Sequence, residues 1–236
     1  MKTIAIMQPT YLPWLGYFEL IASSDVFIIY DSVQFEKQSW QQRNRIRSNK
    51  GDILLTVPVK HGSGLSRRIT DVEVFYNDVF PSKHLREIKL NYSSSPRFDE
   101  VYDRIEKSYD AKPVLLRDLN IQLIRLGMEF LQIQTPLLLA SELNVQGTRV
   151  DALIDICKKL DADHYYSPAG SKTYIDENDI FKANGIKLSY QQYDHPSYKQ
   201  MDHPDFISHL AFIDLLFNTT AADARSIFQS TVKRAS

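Results

Sequence analysis

Arg43, Arg45 and Arg47 recur at every second residue, with Asn44 among them and Trp40 shortly before. From Gln38 to Lys50 there is no acidic residue, so these guanidinium groups have no partner nearby in sequence. A planar guanidinium fork meets the oxygens of a phosphate or carboxylate in pairs, which an ammonium cannot do. Three such forks beside an indole would hold the diphosphate and base of a nucleotide-linked ligand. The plainer alternative is a basic surface strand whose arginines pair with acids from elsewhere in the chain. Single-stranded RNA uses the same residue types. The stretch is short and the formal net charge is −1, which counts against RNA as the main partner.

A second polar concentration lies earlier. Gln8, Thr10, Tyr11, Trp14 and Tyr17 fall beside Pro9, Pro13 and Gly16, after the apolar run Ile4 to Met7. This corner reads either as a rigid strand-to-helix connection with core aromatics, or as a pocket wall with stacking rings and hydrogen-bonding tips. Asp31 closes the next apolar run, Val26 to Tyr30, at the edge where open α/β sheets take their ligands. Gln34 follows it, and Lys60 precedes a small glycine-bearing loop.

Other chemistry is weaker. Ser167 to Lys172 (SPAGSK) could cradle an anion on backbone N–H groups with Lys172, but lacks the second glycine that a P-loop needs directly before its lysine. His61, His84, His195 and His203 sit in expected loops, where an imidazole serves as a general base. No HExxH spacing occurs, and the single Cys157 leaves no zinc set and no internal disulfide. No GxSxG elbow is present either.

The elements that would position these groups alternate strand and helix. Strands are expected at Ile4–Met7, Val26–Tyr30, Asp52–Val59, Ile69–Phe75, Thr135–Ala140, Asp163–Ser167 and Ile186–Tyr190. Helices are expected from Trp14 to Ala22, Arg97 to Tyr109, Pro113 to Phe130, Thr148 to Leu160, Asp176 to Ala183, Phe206 to Phe217 and Ala221 to Gln229. That alternation predicts one α/β domain over 1–236 with a mainly parallel, Rossmann-like sheet and a helical insertion at 76–134. Pro and Gln interrupt the first apolar run too early for a signal peptide, and no window suits a membrane span, so a cytoplasmic protein is expected.

The block QPTYLPWLGYFELIASSDVFIIYDSVQFEKQSWQQRNRIRS resembles the opening of the WbqC-like family. SKHLREIKLNY, YYSPAGSKTYID, YQQYDHPSYKQ and FISHLAFIDLLFN extend the resemblance over nearly the whole chain. It implies a cytosolic bacterial protein of surface-polysaccharide or modified-sugar pathways. It carries over the positions Gln8, Tyr11, Trp14, Tyr17, Asp31, Gln34, Trp40, Arg43, Asn44, Arg45, Lys83, His84, Tyr92, Gly170, Tyr174, His195, Tyr198 and Gln200. The strand, turn and helix around Gly16 also distantly resemble the HxGH site of HUP-fold nucleotidyltransferases. Trp14 and Tyr17 stand where that site has its histidines, so phosphate-stabilising imidazoles are not expected there.

These readings lead to an enzyme that transfers an acyl or aminoacyl group to the amino group of a nucleotide-activated sugar. Arg43, Arg45 and Lys60 would hold the diphosphate, with His84 or His195 as base and Asp31 beside them. The co-substrate would be an acyl or aminoacyl donor or ATP, with RNA entering only as an aminoacyl carrier. An adenylating or nucleotidyl-transferring enzyme and a non-catalytic binding module are the alternatives.

Overall fold

The computed structural model describes residues 1–60, 67–173, 178–200 and 205–233. Its strands are β1 (Thr3–Met7), β2 (Val26–Ile29), β3 (Arg43–Ser48), β4 (Gly51–Thr56), β5 (Leu137–Leu139), β6 (His164–Ser167) and β7 (Lys187–Tyr190). Its helices are α1 (Leu15–Ala22), α2 (Ser82–Tyr92), α3 (Phe98–Asp110), α4 (Leu116–Leu131), α5 (Val150–Lys159), α6 (Asn178–Ala183), α7 (Ile213–Asn218) and α8 (Ala221–Gln229). Five strands form one sheet in the order β5-β2-β1-β6-β7, every pairing parallel. This is a Rossmann-like α/β fold. The strand order reverses between β1 and β6, and ligands of such sheets bind where the carboxyl ends part.

The central strands β1 and β2 are short and apolar because both faces are covered. Successive side chains point to opposite faces. Ile4, Ile6 and Ile28 therefore pack with Leu153, Ile156 and Phe181 of α5 and α6. Ala5, Phe27 and Ile29 join the larger cluster with Phe18 and Ile21 of α1 and Leu123 and Ile124 of α4. Gly127 lets α4 close on α1, since a Cβ there would meet the Phe18 ring at 2.3 Å. The stretch 76–134 holds α2, α3 and α4.

Four expectations change. Asp52–Val59 is no sheet strand: β4 pairs antiparallel with β3 in a separate hairpin, from Arg43↔Thr56 to Ser48↔Gly51. Its alternate residues remain open to solvent, with Leu54 exposed, whereas a parallel sheet strand needs cover on both faces. Ile69–Phe75 gives a 3₁₀ turn at Ile69–Asp71 and isolated bridges instead of a strand. Ser82–Tyr92, ahead of the Arg97 start expected for the insertion's first helix, is already a helix, which buries only His84, Ile88 and Tyr92 at four-residue steps. The expected Phe206–Phe217 helix is confined to Ile213–Asn218. Before it, the Gln200 carboxamide accepts from Ile207 N (2.9 Å) and donates to Ile207 O (2.9 Å), holding that segment irregular. Among the described residues no helix is long and apolar enough to cross a membrane.

Candidate functional site

The proline-rich corner, the basic hairpin and the tail meet at the carboxyl edge of the sheet. Asn44 Nδ2 donates to the carbonyls of Tyr11 (3.1 Å) and Leu12 (2.7 Å), and Tyr11 N donates to Trp40 O. Gln41 Nε2 donates to Gln8 Oε1 (2.8 Å). From the tail, Ala211 N donates to Arg45 O (2.9 Å) and Phe212 N to Pro13 O (2.8 Å). Strand periodicity puts Arg43, Arg45 and Arg47 on one face of β3, opposite Asn44, Ile46 and Ser48.

Rings gather above that junction. Trp14 precedes α1, and its indole lies across Gly16, where a Cβ would come within 2.2 Å of the ring. Glycine is therefore required for the indole to sit there. Tyr193 meets the indole edge-on at 5.0 Å, and His209 tilts against it at 5.0 Å. His195 stacks on His209 at 4.7 Å. Burial, with the His209 charge, holds His195 down to about 4, and burial with the Arg45 charge also lowers His209. Arg45 reaches Asp52 at 3.4 Å and lies 6.0 Å from the exposed Trp40 ring.

Several polar atoms here are buried without a hydrogen-bond partner among the described residues. They are Arg45 Nε, Arg47 Nε and Nη1, Tyr193 OH and His195 Nδ1. Arg47 as a whole is only 6% exposed. Its neighbour Asp214, fully buried, is by contrast well supplied: Tyr92 OH donates to Oδ1 (2.7 Å), Tyr198 OH and Gln200 Nε2 to Oδ2 (both 2.8 Å). Burial pushes the Asp214 carboxyl up, against these donors and the Arg47 charge. Tyr92 OH also accepts from Arg47 N (2.9 Å), so this network positions both β3 and the 191–200 segment.

Other expected site residues go elsewhere. Tyr11 and Tyr17 are core side chains with no exposed face for stacking. Tyr11 OH contacts Tyr109 OH and His84 Nδ1, while Tyr17 packs on Phe27 and donates to Gln8 O. His84 is buried, its Nε2 meets Thr56 O, and burial lowers it to about 4. Both His84 ring nitrogens are thus engaged inside the core. Asp31 accepts from Ser141 N (2.9 Å), Ser141 Oγ (2.7 Å) and Arg117 Nη1 (2.7 Å), and so anchors β2 to the segments that carry them. Lys60 is paired with Glu73 on the surface. Gln34 and Lys83 are exposed, as is Gly170, and the Lys172 ammonium lies 6.0 Å from the Tyr190 ring. The Ser171 N–H of that turn is spent on Pro168 O (3.0 Å). Tyr174, His61 and His203 lie outside the described residues.

Tyr193, His209 and Asp214 were not picked out from the sequence. For His209 and Asp214 the available signal was polar residues set inside the otherwise apolar 206–217 run. A Rossmann-like protein whose ligand edge is closed by a basic hairpin and an irregular tail is the class this geometry defines. Within it, residues 8–226 match the WbqC-like protein family, and the chain belongs to that family. A relative described as uncharacterized protein Rv1507c, from Mycobacterium tuberculosis (strain ATCC 25618 / H37Rv), is 33% identical over 222 residues, covering 94% of this chain and 95% of its own. No solved structure matches the chain.

Proposed function

We propose that this protein binds a nucleotide-activated amino sugar and transfers an acyl or aminoacyl group to the sugar's amino group, within surface-polysaccharide sugar biosynthesis. The observation that carries the reading is the set of buried, unpartnered guanidinium nitrogens on Arg45 and Arg47. Each buried donor left unpaired costs about 1–3 kcal/mol, and more when charged. A phosphorylated ligand would supply the acceptors these donors lack. Trp14 and Tyr193 would wall the adjoining ring, and Arg43 on the same β3 face extends the cationic surface. The attacking nitrogen must lose a proton to become an amide, and one imidazole of the stacked His195 and His209 would take it. The polysaccharide setting rests on the family resemblance.

The test incubates the protein with a panel of nucleotide-activated amino sugars and acyl or aminoacyl donors, and reads the mass of the sugar product. An added acyl mass on the amino nitrogen is expected. Binding without any mass change would point to a carrier module. Pyrophosphate release from ATP would favour the adenylating reading.

A further inference from the structure

We infer that His195 is a fixed hydrogen-bond donor, presenting Nδ1–H to an anionic oxygen of the ligand beside Arg45 and Arg47, and is not the base. The geometry comes from the backbone. The His209 N–H points at His195 Nε2 (3.4 Å), and an amide N–H can only donate. Nε2 therefore accepts, and its lone pair is occupied. A neutral imidazole with an accepting Nε2 carries its proton on Nδ1. That Nδ1 is buried and has no partner among the described residues. The depressed affinity of His195 for a second proton keeps the ring in this neutral form.

Arg45 Nε, Arg47 Nε and Arg47 Nη1 are likewise donors, since guanidinium accepts nothing. Apart from the Tyr193 hydroxyl, which can give or accept, the unsatisfied atoms of this cluster thus all offer hydrogen. Such a donor set suits an anionic oxygen, which under the proposed function is that of a phosphorylated ligand. Proton removal then falls to the exposed ring of His209, whose Nδ1 faces Ser208 Oγ (2.8 Å). The inference rests on this edge being the ligand site and not on which group is transferred.

Two measurements test it. Long-range proton–nitrogen NMR of the imidazoles at pH 7 should show His195 protonated at Nδ1 alone; protonation at Nε2 overturns the proposal. Calorimetry with inorganic pyrophosphate should show His195→Leu weakened about 10- to 100-fold, and His195→Asn, whose amide can donate from the same place, within a few-fold of wild type. Equal affinity in the two variants, or no loss in His195→Leu, also overturns it. Pyrophosphate binding that follows this pattern without sugar acylation would leave the donor role standing while the proposed reaction failed.

Discussion

Two buried charges lie on the carboxyl side of this fold and are treated in opposite ways. Asp31, after β2, uses both carboxylate oxygens on Ser141 and Arg117, and so ties β2 to the chain after β5 and to α4. Arg47, on β3, is nearly as hidden, yet two of its nitrogens meet nothing among the described residues. A satisfied buried ion pair is a structural part. A buried cation with unmet donors is a cost to folding, offset only in part by the Asp214 carboxyl that its charge reaches; under the proposed function a bound ligand would supply the rest.

The contrast is sharpest in Arg117→Ala. It strands a fully buried carboxylate, so urea denaturation should show a loss of about 3–5 kcal/mol. A loss under 1 kcal/mol would mean that the Asp31 end is not saturated. Acid should act in the same direction. His84 is held near 4 when folded, below the 6.5 of an unfolded histidine, so the unfolded chain binds more protons between those values. Stability from this group is complete above pH 6.5 and falls as pH drops toward 4, by on the order of 3 kcal/mol. A flat stability curve over that window would contradict a buried, neutral His84.

Gly16→Ala pushes a methyl into the Trp14 indole. Overpacking of that kind should cost about 1–3 kcal/mol and displace the ring, readable as a shift in tryptophan emission. An unchanged spectrum would show that the indole does not rest on Gly16. Arg47→Met removes two unmet donors and, with them, the charge that faces Asp214, so its stability should stay within about 1 kcal/mol of the parent's. A drop of about 3 kcal/mol or more would show that the attraction between Arg47 and Asp214 outweighs the unmet donors, and would erase the difference between the two ends.

How much of this could be read beforehand follows from which physical signals survive in a sequence. The parallel strands showed themselves because covering both faces leaves unbroken apolar runs, as in Ile4 to Met7 and Val26 to Ile29. Helix α2 did not, because only every fourth residue faces the core and the rest are charged. Strand β3 was hidden for a related reason: its arginines alternate with Asn44, Ile46 and Ser48, so no apolar period exists. The arginine trio stood out through the missing acids around it. Tyr11, Tyr17 and His84 misled, because a polar tip on an aromatic ring looks the same whether its partner is a ligand or another core side chain. His209 and Asp214 were absorbed into an apolar run that the structure breaks before Ile213.

The most direct measurement is calorimetric titration of a nucleotide-activated amino sugar into the wild-type protein and Arg47→Met side by side. Affinity should fall tenfold or more in the variant while its folded state is as stable as the parent's. Equal affinity in the two proteins would mean that the buried guanidinium does not serve a phosphorylated ligand.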